Sequence, residues 1–316
     1  MTNFPGMDDE HLPLTEKPSW VERNGFSHWG LAIIWAIVAF GLFQLFAGVV
    51  ATLLIFMAEG RVDSGSDLMS LMSERMDLVF IGNSAGQILF LAIVTWFLTG
   101  LHTGSGSRRH WLRFRHDKST GWYVGITALL FISVQPVVWY VGYLNQQLPL
   151  PDLFSDLQEA QYEMIEDFLS QDGAIWIALF HVALVPAICE EVMFRGYLQR
   201  AFEKSWGAWP AIVVSGLLFG LYHLQLGNLL PLALLGLLLA LVTWLSGSLY
   251  PAIVAHFVNN GAAVLLASFY PELAFAEMTA ETTPPLTVLF AGALISSWLI
   301  YLLVRRSEAN QSVTET

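Results

Sequence analysis

Three short stretches of this chain carry residues able to do acid–base chemistry. They are Cys189-Glu190-Glu191-Val192-Met193-Phe194-Arg195-Gly196, Phe219-Gly220-Leu221-Tyr222-His223 and His256-Phe257-Val258-Asn259-Asn260. On a helix, neighbouring side chains stand about 100° apart, so Glu190 and Glu191 cannot share one environment. Glu191 and Arg195 are four apart and spaced for an ion pair, which would hold Glu191 ionised. Glu190 has no sequence-local cation. A carboxylate desolvated among helices is pushed towards neutrality, where it can take a proton from water and pass it on. Glu190 is therefore read as the general base and Glu191 as its structural neighbour. Upstream, Pro186 cannot bond the carbonyl four residues back, which predicts a bend above the pair.

His223 alone reads as an interfacial histidine, and so does His256. His256 gains weight from Asn260 at i+4, which sets an imidazole and a carboxamide on one helical face. A carboxylate, two imidazoles and an amide suit water activation and oxyanion binding. Glu190, His223 and His256 equally suit a zinc ion with an open position. His181 lies nine residues before Glu190, about 13 Å along a helix, and reads as a packed or pore-facing histidine. Asn83 and Gln87 read as interhelical glue. His11, His28, His102, His110 and His116 sit in polar segments and receive no functional reading.

The elements that must position these groups follow from composition. Hydrophobic residues make up 55% of the 316 positions and charged ones 13%, with a mean hydropathy of +0.56. That charged fraction is about half the usual one for soluble domains. The apolar residues fall in runs long enough to span a bilayer as helix, the form that satisfies its own backbone in lipid. The expected fold is an all-α integral membrane protein of about eight transmembrane helices with the site inside the bundle. The spans are drawn at Trp29–Met57, Leu78–Leu98, Trp122–Leu144, Ala174–Ala201, Trp209–Tyr222, Leu229–Leu245, Ala252–Phe269 and Leu286–Val304. Residues 1–28 form a polar segment unlike a cleaved signal peptide, 29–304 the membrane domain and 305–316 a tail. The single cysteine, Cys189, excludes an intramolecular disulfide.

Basic residues sort the loops. Arg108, Arg109, Arg113, Arg115 and Lys118 lie between spans two and three. Arg195, Arg200 and Lys204 end span four, and Arg305 and Arg306 end the last. By the positive-inside rule these segments and both termini are cytoplasmic. Acidic residues mark the other side: Asp152, Asp156, Glu159, Glu163, Glu166, Asp167 and Asp172 in one segment, Glu272, Glu277 and Glu281 in another. Counted from the cytoplasmic ends, Glu190 and Asn260 come out about 15 Å deep, His223 about 20 Å and His256 shallower. Helix tilt would have to level them.

Glu190-Glu191-x-x-x-Arg195, Phe219-x-x-x-His223 and His256-x-x-x-Asn260, in that order on separate spans, resemble the CAAX protease and bacteriocin-processing (CPBP/Abi) family. These intramembrane endopeptidases are related to type II CAAX prenyl endopeptidases. The likeness covers roughly residues 174–269. It implies that Glu190 activates water with support from His223, that His256 and Asn260 hold the oxyanion, and that Glu191 and Arg195 brace the site. It implies a membrane-protein or lipidated peptide substrate, the bilayer as surroundings, no nucleic acid and no required cofactor. Zinc on Glu190, His223 and His256 remains the other mechanism described for the family. An inactive relative acting as a scaffold or immunity factor is the alternative function. A proton-coupled transporter ranks lower because no inverted repeat is apparent.

Overall fold

In the computed structural model, residues 17–59, 65–104, 106–149, 151–275, 279 and 281–314 are described, and none of them forms a strand. The expectations for His11 and Glu277 fall outside these residues. A short capped helix α1 (Trp20–Arg23) precedes α2 (His28–Glu59). Then come α3 (Met76–Thr99), α4 (Thr120–Ser133), α5 (Gln135–Gln146) and α6 (Asp152–Leu169). The long helices that follow are α7 (Ala174–Trp206), α8 (Ala208–Tyr222), α9 (Leu229–Ser246), α10 (Tyr250–Phe269) and α11 (Leu286–Thr314), and shorter ones cover Gly65–Glu74, Arg108–Trp111 and Pro271–Ala274.

Six helices among the described residues are long and apolar enough to cross a membrane, or seven if α4 and α5, bent by 45° at their junction, make one span. All eight sequence-drawn segments are helical, but the count of eight crossings is not confirmed. The shortfall is α8, whose 15 residues give about 22 Å of helix against a hydrocarbon core of about 30 Å. The solvent preference is inverted relative to a water-soluble protein. Ile37 is 68% exposed and Leu294 71%, while Glu191 and Arg195 are fully buried. Aliphatic surface outside and ions inside identify an integral membrane protein.

Several boundaries differ from the sequence reading. The acidic segment after α5 contains the helix α6, which packs Phe168 edge-to-face on Phe80. The C-terminal tail continues α11 as helix to Thr314. The basic residues are not all loop charges. Arg195 is a core residue, and Arg113 and Arg200 are buried around Glu203, with Arg113 Nη2 2.5 Å and Arg200 Nη1 3.4 Å from its Oε2. Pairing with a carboxylate is what makes those two guanidiniums tolerable below the surface.

Two hairpins build the site. α7 and α8 turn at Gly207, where φ is +82°, a conformation that favours glycine. α8 and α9 lie so close that a Cβ on Gly236 would stand 2.6 Å from the Gly216 carbonyl oxygen. Small residues permit such approach between membrane helices. Gly236→Val should therefore force the hairpin apart and cost roughly 1–3 kcal/mol, read as a lower melting temperature of the detergent-solubilised protein.

His28 and His102, which the sequence left without a role, form a buried polar chain. His102 Nδ1 lies 2.8 Å from His28 Nδ1, and its Nε2 lies 2.9 Å from the Tyr197 hydroxyl on α7. Burial pushes the His102 imidazole down from 6.5 to about 3, with His28 and Lys204 beside it acting in the same direction and Glu22 opposing. The unfolded chain thus binds a proton that the folded one refuses. Stability should fall as pH drops from about 6.5 towards 3, and His102→Phe should flatten that part of a melting-temperature profile.

Candidate active site

Glu190 and His223 are level because of the turn between them. Glu190 stands 17 residues before Gly207 and His223 stands 16 after it, so antiparallel helices bring them opposite each other. The apparent depth mismatch arose from ending the fourth span at Ala201, whereas α7 runs on to Trp206. No special tilt is needed to level these two.

α7 is not a regular helix. Leu179–Leu184 and Val192–Leu198 are wound as π-helix on either side of the α-helical Val185–Glu191. Such distortions re-aim side chains and occur frequently at functional sites. Pro186 has no N–H to offer the Val182 carbonyl. Asn260 Nδ2, from α10, donates to that oxygen at 3.1 Å. The carbonyl that Pro186 leaves free is thus a docking point for Asn260.

The side chains converge as follows. Glu191 Oε1 accepts from Arg195 Nη1 and from His256 Nδ1, both at 2.8 Å. Arg195 Nη2 donates to the Gly236 carbonyl at 3.1 Å, and its guanidinium lies 4.2 Å from the Phe219 ring centroid. His223 Nδ1 donates to the Phe219 carbonyl at 2.7 Å. The Phe219 ring meets both imidazoles near edge-on, His223 at 4.8 Å and His256 at 5.6 Å between centroids. Phe219 is thereby the packing partner of three site residues, which gives its spacing from His223 a physical reason.

Carbonyl and carboxylate oxygens only accept, so both imidazoles carry hydrogen on Nδ1 and present Nε2 to the site. Each Nε2 lies 3.9 Å from Glu190 Oε2. That oxygen is buried and has no hydrogen-bond partner in the protein. Polar atoms at this separation are beyond direct bonding and within reach of one bridging water. Beside them is a cavity of about 30 Å³ lined in part by His223, His256, Asn259 and Asn260, enough for a water.

The same spacing tests a metal. Imidazoles whose Nδ1–H groups are held by a carboxylate and a carbonyl are oriented as zinc ligands usually are. Bonds of about 2.0–2.1 Å in a tetrahedral shell, however, bring ligand atoms to about 3.3 Å of one another, closer than the 3.9 Å here. Among the described residues no group of three His, Cys, Asp or Glu side chains has metal-holding geometry. The arrangement as it stands does not fit the ion.

Of the sequence-selected residues, Glu190, His223, His256 and Asn260 are brought together, with Glu191 and Arg195 directly behind them. His181 is held apart by Ser84, its Nδ1 2.7 Å from Oγ. Gln87 is buried between helices with Oε1 unpartnered in the protein. Sequence reasoning missed Gln135 and Asn259. Gln135 Nε2 lies 3.0 Å from Asn259 Oδ1, and Asn259 Nδ2 lies 3.2 Å from Asn260 Oδ1. Their signal was an amide in an otherwise apolar span.

Residues 172–262 match the family model described as type II CAAX prenyl endopeptidase Rce1-like. That interval contains every residue of the converging set. This region is similar to the Rce1-like family. The Rce1-like proteins are a protease family, and the CPBP resemblance of the motifs agrees with the match. An Escherichia coli protein described as an uncharacterized 24.3 kDa protein is 27% identical over 146 residues, 43% of this chain. The chain spans 58% of that relative's length. No solved structure matches. The Rce1-like region begins at the turn before α7 and ends just past Asn260, so α7, α8, α9 and the first half of α10 form its framework.

Proposed function

We propose that this protein is an intramembrane endopeptidase that hydrolyses a peptide bond of a membrane-associated or lipidated protein, using water activated by Glu190. The reading rests above all on the convergence of Glu190 Oε2 with two imidazole Nε2 atoms at 3.9 Å beside a water-sized cavity. The match to a prenyl endopeptidase family supports it.

The charges suggest how the step runs. Glu190, Glu191 and Arg195 sum to one negative charge, so one additional proton neutralises the buried cluster. We place it on His256, whose Nδ1–H Glu191 already accepts. Water then donates one hydrogen to Glu190 and the other to His223 Nε2. Glu190 removes the first as the oxygen attacks the scissile carbonyl carbon. His256 Nε2–H and Asn260 donate to the oxyanion. The proton on Glu190 passes to the leaving nitrogen as the C–N bond breaks. No metal or other cofactor takes part.

An apolar groove of about 280 Å³ lies between α3 and α7, lined by Ala92, Ile93, Trp96, Phe114, Ile188 and Val192. Ile188 and Val192 stand two residues either side of Glu190 and so face the opposite side of α7 from it. The groove offers an apolar surface that suits a lipid chain, with the helix between it and the chemistry. Under the positive-inside rule Arg108, Arg109, Arg115, Lys118, Arg305 and Arg306 favour both termini on the cytoplasmic side, an arrangement that requires an even number of crossings.

The test is purified protein in liposomes with an internally quenched, prenylated peptide ending in a Cys-aliphatic-aliphatic-X box. Cleavage is expected, and its rate should be unchanged by 1,10-phenanthroline. A rate abolished by chelation and restored by zinc would sink the metal-free mechanism. Absence of any cleavage, with this peptide and with isolated membrane proteins, would sink the protease reading.

A further inference from the structure

Asn260 belongs to a line of three amides whose direction is fixed from both ends. Gln135, the first residue of α5, places Nε2 2.7 Å from the Phe131 carbonyl and 3.0 Å from Asn259 Oδ1. Asn259 Nδ2 reaches Asn260 Oδ1 at 3.2 Å, and Asn260 Nδ2 reaches the Val182 carbonyl at 3.1 Å. A backbone carbonyl can only accept, so the terminal atoms of the line must be nitrogens. Gln135 therefore cannot be flipped, and neither can Asn260. Asn259 between them must then accept from Gln135 and donate to Asn260. The oxygens of Asn259 and Asn260 each receive a hydrogen bond from the neighbouring amide. One Nδ2–H of Asn260 is left over, and Asn260 lines the cavity with His223, His256 and Asn259.

We propose that Gln135 and Asn259 are positioning residues that lock the carboxamide of Asn260 with its spare N–H at the reaction cavity. This rests on the protease reading of the site. The 45° break between α4 and α5 is what inserts Gln135 at the level of Asn259. The Phe131 carbonyl, at the end of α4, fixes its rotamer. Without Asn259 the Asn260 oxygen loses its donor and the group can rotate about its one remaining anchor, so the oxyanion donor is present but misaligned. The effect falls on the transition state, where that hydrogen bond matters.

The experiment compares Asn259→Leu, Gln135→Leu and the double variant in liposomes with the quenched prenylated peptide. Each single change is expected to lower kcat on the order of tenfold, the equivalent of one hydrogen bond, with KM within about twofold. The double variant should be no slower than Asn259→Leu, because the line is already cut. Ser296→Ala removes a hydroxyl contact 3.0 Å from Ser133, close in the fold but outside the line, and should leave kcat unchanged. Variants that melt earlier but keep full kcat beside an active wild type would overturn the positioning role. So would losses that multiply in the double variant. A wild type that cleaves nothing overturns the protease reading and this inference with it.

Discussion

Glu190→Gln should abolish peptide cleavage while leaving the protein folded. The amide is isosteric, and the carboxylate it replaces makes no hydrogen bond through Oε2 within the protein, so little packing is lost. What disappears is the basicity at the point 3.9 Å from both imidazoles. General-base catalysis contributes about 10²–10⁴-fold, so kcat should fall by at least about a hundredfold. The melting temperature should hold or rise, since a buried charge has been removed. Cleavage at near wild-type rate by purified Glu190→Gln would refute the assignment of the base.

The largest loss of stability should come from Arg195→Met. Arg195 is fully buried, and its two terminal nitrogens bond Glu191 and the Gly236 carbonyl. Removing it strands the Glu191 carboxylate without its guanidinium, and breaking a buried pair in this way costs about 3–5 kcal/mol. Lysine should not rescue it, because a single ammonium cannot reproduce the planar fork that reaches both acceptors. The double variant Glu191→Gln/Arg195→Met should recover part of the lost melting temperature, since the Glu191 carboxylate is no longer left without its guanidinium. Activity should stay low in the double variant, because the carboxylate that accepts from His256 Nδ1 and orients its ring is gone. Equal melting temperatures for wild type and Arg195→Met would show that the ion pair does not hold the bundle together.

The apolar runs alone announced a helical membrane protein, because lipid leaves the backbone no other choice. The pairing of Glu191 with Arg195 was equally legible, since i,i+4 geometry is local to one helix. What could not be read was anything depending on where helices meet. The contact of His256 with Glu191 joins residues 65 apart. The levelling of Glu190 with His223 depends on a turn at Gly207 that lies beyond the apolar run. Arg113 and Arg200 looked like surface cations because sequence shows charge but not the buried Glu203 that answers it. Gln135 and Asn259 were visible as misfits in greasy helices, yet their purpose lies in partners 124 residues apart.

α7 has 33 residues, about 50 Å of rod at roughly 1.5 Å per residue, against a hydrocarbon slab of about 30 Å. What tilt does not absorb stands in water. The polar turns that carry Arg200, Glu203 and Lys204 supply it, clasped by Arg113 and by Tyr197's link to the histidine pair. One continuous shaft therefore joins the aqueous surface to the reacting carboxylate. A nanobody or any other clamp that twists the projecting end would be felt at Glu190 without ever entering the membrane.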